Sequence, residues 1–191
     1  MRKILRIAIL GWGSLIWDPR TLPINGNWQT GGPVLPIEFS RISHDRRLTL
    51  VIDSANGAPV ETRYTQSVRT SISEAVSDLC ERESTVTRLI GFVDLPNETY
   101  RCETCPTIIQ SILAWADENG FDGVVWTGLP SNFKEKSGRP FSVARAEAYL
   151  MQLPATEAGR ARAYIVNAPA EVQTPLRRRL FESGWLALNS R

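Results

Sequence analysis

Apolar positions in the first half of the chain recur mostly at the two-residue period of strands, and in the second half mostly at the helical period. Residues 4–10 form an apolar run stopped by Gly11, the pattern of a buried strand. Leu35, Ile37 and Phe39 alternate with Pro36, Glu38 and Ser40, which predicts a half-buried strand whose Pro36 favours an edge or a bulge. Residues 47–53 are rich in β-branched side chains and Asn56-Gly57 is a turn signal. Val60, Thr62 and Tyr64, alternating with Glu61, Arg63 and Thr65, then read as the matching partner strand. Residues 89–95 predict one more strand.

Between these strands lies a well-marked helix. Ser71-Ile72-Ser73-Glu74 has the spacing of a capping box, followed by Ile72, Ala75, Val76, Leu79 and Cys80 at helical spacing. On a helical wheel, Glu83 falls within the stripe of Ile72, Val76 and Leu79, whereas Glu81 points away from it. A carboxylate aimed at a core is costly unless paired, protonated or lining a cavity. Burial and the nearby helix C-terminus would both raise its pKa, which suits general acid–base chemistry. The alternative is that Glu83 closes the last helical turn at the surface, paired with Arg82 or Arg88.

Pro106 opens a second helix that Gly120 closes, and residues 123–127 predict a strand. Residues 129–140 read as an exposed loop. Three shorter helices are expected over about 142–153, 156–167 and 174–183. The change from strands to helices and the absence of a linker-like tract point to one α+β domain, 1–191. Within it, residues 1–100 form the β-rich part and 101–191 the mostly helical part.

Composition narrows this picture modestly. The hydrophobic and charged fractions, 42% and 22%, are those of a globular domain. A net charge of +2 argues for neither nucleic acid nor membrane as a partner. The basic residues are nearly all Arg, with Lys3, Lys134 and Lys136 the exceptions; this bias fits small anionic ligands or a GC-rich genome equally. Three cysteines do not make a disulfide framework, and the charged start at Arg2-Lys3 leads into Gly-Trp-Gly rather than a cleavage site. With no apolar stretch of bilayer length, a cytoplasmic location is expected. The sequence leaves the oligomeric state open.

The glycine loop Gly11-Trp12-Gly13-Ser14-Leu15 can turn backbone N–H groups toward an anion, or can be an ordinary tight turn. Ile16 stands where a dinucleotide fingerprint or a nucleophile elbow around Ser14 would need a small residue. Cys102-Glu103-Thr104-Cys105 is a lone C-x-x-C without partners for a zinc site, so two loop cysteines are favoured over a redox pair. His44 is the single histidine, and with Asp45 adjacent to it no ordinary triad with Ser14 is possible. Arg177-Arg178-Arg179 fans around a helix and reads as a solvated face.

Loop and glutamate together resemble the γ-glutamylcyclotransferase superfamily, especially its ChaC-like, glutathione-degrading branch. Gly13-Ser14-Leu15-Ile16-Trp17 is similar to the family's Tyr-Gly-Ser-Leu loop, with Trp12 in place of the tyrosine. The segment from Phe39 to Arg46 is similar to a family segment rich in Arg and Ser. Leu79-Cys80-Glu81-Arg82-Glu83 has the spacing of the family's Leu-x-x-Arg-Glu, whose glutamate is the acid/base. Ser84-Thr85 departs from the family, which carries an aromatic segment with Gly-Tyr there. The resemblance spans about residues 4–95. It implies a small mixed β-barrel or sheet with helices packed around it and an appended helical C-terminal part. It also implies an enzyme of the amide-cleaving lyase or acyltransferase type that needs no metal or cofactor. Glu83 would be catalytic, and Trp12, Gly13, Ser14, Leu15 and Arg41 would bind a small γ-glutamyl substrate and release it as 5-oxoproline plus an amine. The alternative is a non-catalytic ligand-binding or interaction protein on the same fold.

Overall fold

A computed structural model describes residues 4–187. In chain order the strands are β1 (Ile7–Gly11), β2 (Ile24–Gln29), β3 (Val34–Ile42), β4 (Leu48–Ile52), β5 (Ala58–Glu61), β6 (Arg63–Ser67), β7 (Ile90–Asp94), β8 (Thr99–Arg101) and β9 (Gly123–Thr127). The helices are α1 (Ile72–Arg82), α2 (Ile109–Glu118), α3 (Phe133–Ser137), α4 (Val143–Met151), α5 (Ala155–Asn167) and α6 (Pro175–Glu182). The class is therefore mixed α+β. Two sheets hold the strands, one of six in the order β2-β6-β1-β9-β7-β8 and one of three in the order β4-β3-β5. Neither closes into the barrel that the resemblance allowed.

The chain divides into two compact units, one of Met1–Leu35 with Glu61–Leu129 and one of Pro36–Val60 with Pro130–Arg191. This division does not follow residue 100: α2 and β9 belong to the first unit, and residues 36–60 to the second.

The first unit is built on the six-stranded sheet. β1 lies at its centre, antiparallel to β6 and parallel to β9, with Ile7 beside Gly123 and Ile9 beside Val125. Helix α1 packs against β7 and β9, and its Ile72, Ala75, Val76 and Leu79 share a core with Ile7, Ile9, Ile90 and Val125. Because side chains alternate along a strand, Ala8, Leu10, Val124 and Trp126 point the other way. Ser71 caps α1 as the sequence predicts, accepting from the Glu74 N–H at 3.4 Å; Glu74 returns by accepting from the Ser71 hydroxyl at 2.6 Å. Strand β2 escapes sequence reading because Ile-Asn-Gly-Asn-Trp-Gln has the composition of a turn; it forms an edge with a register shift opposite β6.

The second unit corrects the expected hairpin. β4 and β5 do not pair with each other; they flank β3. The turn at 53–57 carries the chain across the start of β3. Asp53 donates its N–H to the Pro36 carbonyl at 2.8 Å, and its carboxylate accepts from the Ala55 and Asn56 N–H groups at 3.1 Å. A Cβ on Gly57 would lie 2.5 Å from the Pro36 carbonyl carbon, so this crossing requires glycine. The segment expected as an exposed loop is docked instead. Asn132 pairs its side-chain amide with the N–H and carbonyl of Ile42, at 2.7 and 3.0 Å, and Phe133 at the start of α3 is buried.

Glu38, which strand alternation turns outward, is fully buried in this unit. Its carboxylate accepts from the N–H groups of Phe39 (2.7 Å) and Leu176 (3.3 Å), the latter in the first turn of α6. Burial raises its pKa above the ordinary value, against the opposing hydrogen bonds of Thr174, Phe39 and Leu176. The folded state therefore holds this proton more tightly than the unfolded chain. Glu38 favours folding most below about pH 4.5, and that contribution falls as pH rises through the raised pKa. Glu38→Gln should cost about 1–3 kcal/mol by aiming an amide N–H₂ at a backbone donor. Its penalty relative to wild type should shrink as pH rises above about 4.5, read from urea midpoints across pH.

Candidate functional site

The parallel pair β1 and β9 sets up the candidate site. Carried two residues on, their register puts Gly11, where β1 ends, beside Thr127, where β9 ends. Thr127 is also opposite Ile90 of β7, the strand that the chain enters shortly after α1. The loop after β1, the last turn of α1 and the end of β9 thus meet at one end of the central strands.

The loop itself is tightly held. A Cβ on Gly11 would fall 2.6 Å from the Trp28 ring, so glycine permits the indole to pack over the backbone. Two turns follow, closed by the Ile16 N–H on the Gly13 carbonyl at 3.0 Å and the Asp18 N–H on the Ser14 carbonyl at 2.8 Å. The backbone N–H groups of Trp12, Gly13, Ser14 and Leu15 stand outside both bonds. Trp12, Gly13 and Leu15 are buried and Ser14 is half-buried. Leu15 belongs to the core shared with Leu79.

Helix α1 ends in a Schellman motif without glycine. The Thr85 N–H donates to the Cys80 carbonyl at 3.1 Å and the Ser84 N–H to the Glu81 carbonyl at 3.0 Å. Ser84 takes the left-handed position of that motif, with φ of 49°, and Glu83 is the C-cap before it. This turn fixes the backbone from which the Glu83 carboxylate projects.

Arg82 is the residue that sequence reading undervalued. Its side chain is 4% exposed and that of Glu83 17%. Nη1 of Arg82 donates to Glu83 Oε1 at 3.0 Å; Nη2 donates to the Asp18 carbonyl at 2.5 Å and reaches the Ser14 hydroxyl at 3.4 Å. Its backbone carbonyl accepts from Arg20 Nη1 at 3.3 Å. The Nε–H is buried and has no hydrogen-bond partner among the described residues. The wheel places Arg82 at the edge of the apolar stripe next to Ala75, which is the signal that could have found it.

Burial raises the Glu83 carboxyl above its ordinary value, while the Arg82 guanidinium, the Thr127 hydroxyl and the Arg20 charge pull it back. The pairing with Arg82 and the burial of Glu83, offered by the sequence as alternatives, occur together. The net direction is upward. A carboxyl group so placed holds its proton to higher pH than an exposed glutamate, the direction that acid–base chemistry needs.

The other sequence candidates have local partners of their own. Arg41 lies in the second unit, where Nη1 donates to the Pro130 carbonyl at 2.8 Å. His44, in the same unit, is exposed, and Asp45 accepts from Ser43 at 2.5 Å and pairs with Arg47 at 2.7 Å. Cys102 donates to the Cys105 carbonyl at 3.1 Å, and burial raises its thiol pKa, the opposite of what a reactive thiolate needs. No group of three or more His, Cys, Asp or Glu gathers for a metal among the described residues. Nor does any helix among them have the length and apolarity to cross a membrane. The arginine run is not simply a solvated face. Arg177 donates to the carbonyls of Pro169, Val172 and Ala168 at 2.6–2.9 Å, and Arg179 pairs with buried Glu147 at 2.8 Å.

Left-handed backbone costs an L-residue about 1–2 kcal/mol, and glycine adopts it freely at some entropic cost. Ser84→Gly should therefore raise the stability of the folded chain by up to about 1 kcal/mol, measured by urea unfolding.

No family model, curated protein sequence or solved structure matches this chain.

Proposed function

We propose that the chain is a γ-glutamylcyclotransferase-like enzyme of the cytoplasm. It would convert the γ-glutamyl group of a small amine or peptide to 5-oxoproline and release the amine, with the fold type of that family included in the proposal. The observation that carries the reading is the meeting of Glu83, half-buried at the end of α1, with the Gly11–Asp18 loop through Arg82. The same glutamate and loop carry the sequence resemblance.

In the reaction, the substrate's α-amine attacks its own γ-carbonyl carbon and closes a five-membered ring. Glu83 takes the proton that the attacking nitrogen must lose and delivers one to the leaving nitrogen as the amide C–N bond breaks. Its raised pKa matches this double use, since the group must be both base and acid within one turnover. Backbone N–H groups from Trp12 to Leu15 would bind the glutamyl carboxylate or the developing oxyanion. Holding amine and carbonyl in ring-closing geometry would add a proximity contribution.

One observation favours a second reading, a non-catalytic small-ligand-binding protein on the same fold. Glu83 Oε1 is already engaged by Arg82, as in a structural ion pair. Incubation with a panel of γ-glutamyl amines and peptides separates the two. The enzyme reading predicts 5-oxoproline from at least one of them, with a rate about 10²–10⁴-fold lower for Glu83→Gln. Thermal stabilisation by panel members without product would instead support the binding protein. Full activity in Glu83→Gln would remove the role given to Glu83.

A further inference from the structure

One residue, Arg82, joins the end of α1 to the loop after β1. Its Nη1 holds the Glu83 carboxylate, its Nη2 holds the Asp18 carbonyl and approaches the Ser14 hydroxyl, and its own carbonyl accepts from Arg20. A guanidinium is a rigid planar fork, so the two prongs cannot move independently. What anchors one prong to the loop orients the other against the acid. A buried ion pair is weak evidence for stability, because desolvating two charges offsets much of their attraction. The buried Nε–H without a partner adds a further cost. What Arg82 holds together explains its position better than what it contributes to folding.

We infer that Arg82 is a positioning residue that locks the Glu83 carboxylate to the Ser14–Asp18 turn, so that the acid and the loop's backbone donors keep one geometry. This rests on the acid/base reading of Glu83. The charged groups bearing on Glu83 are Arg82 on its own helix and Arg20 on the loop before β2, joined by the Thr127 hydroxyl from β9. Arg82 is the strongest of the three that oppose burial, so loss of its charge leaves burial less opposed.

The test uses the full chain with Arg82→Gln and Arg82→Lys and takes two measurements. One is the pH profile of kcat/KM for 5-oxoproline release. The other is hydrogen exchange at the Ile16 and Asp18 amides, which close the loop's turns. Arg82→Gln should move the acidic limb of the profile upward by about one pH unit or more. Arg82→Lys should leave the limb in place but lower kcat/KM about tenfold, because one ammonium cannot span both anchor points. Both variants should exchange the two amides at least about tenfold faster than wild type, while Glu83→Gln does not.

A limb that stays in place in Arg82→Gln overturns the inference, as does unchanged exchange in a folded Arg82→Lys. If Arg82→Gln does not fold, Arg82→Lys decides: wild-type kcat/KM or wild-type exchange overturns the inference. If wild type releases no 5-oxoproline at all, the enzyme reading fails, and the exchange measurement decides the role of Arg82 alone.

Discussion

A buried guanidinium must be surrounded by acceptors, and that requirement organises the candidate site. Arg82 is nearly inaccessible, so its charge has to be met within the fold. It is met by three groups from two segments: the Glu83 carboxylate, the Asp18 carbonyl and the Ser14 hydroxyl. Were the loop to swing away, the guanidinium would lose its backbone acceptor; were Glu83 to turn outward, the charge would lose its counter-ion. Either change is costly at low dielectric. The loop and the helix end are therefore constrained to each other as well as to the sheet.

The sheet supplies the frame for this constraint. A parallel pairing of β1 with β9 puts the carboxyl ends of two central strands side by side, as no hairpin can. That end of the strands receives the glycine loop from β1 and the Thr127 hydroxyl from β9, and α1, packed on β7 and β9, brings its last turn there. In sheets with parallel strands the carboxyl ends are where ligands commonly bind, an analogy of architecture that agrees with the chemistry of the residues present. Gly11 under Trp28 and Ser84 in a left-handed turn are two places at this site where backbone freedom limits the design.

Much of the local structure is legible in the sequence because the signals are local. The Ser71 cap, the apolar stripe of α1, the helix that begins after Pro106 and the strand at 123–127 all carry their own patterns. Glu83 was legible as a carboxylate on an apolar face. What the sequence hides depends on distant partners. Glu38 alternates as an outward residue but is covered by the first turn of α6, 138 positions away. The docking of Asn132 on Ile42 makes a helix where composition suggests a loop. β2 has the residues of a turn and becomes a strand because β6 offers it a partner. Arg82 is hidden for the same reason, since nothing near it in sequence shows that Asp18 and Ser14 will accept its hydrogen bonds.

The central physical claim is that burial outweighs the Arg82 ion pair at Glu83 and leaves a carboxyl group with a pKa above the ordinary glutamate value. Carbon-13 NMR of the Glu83 carboxyl in the folded wild-type chain, titrated with pH, measures this directly. The account predicts a midpoint above the ordinary glutamate value of 4.5. A midpoint at or below 4.5 would mean that the ion pair dominates, and Glu83 would then be a structural partner of Arg82 rather than an acid/base.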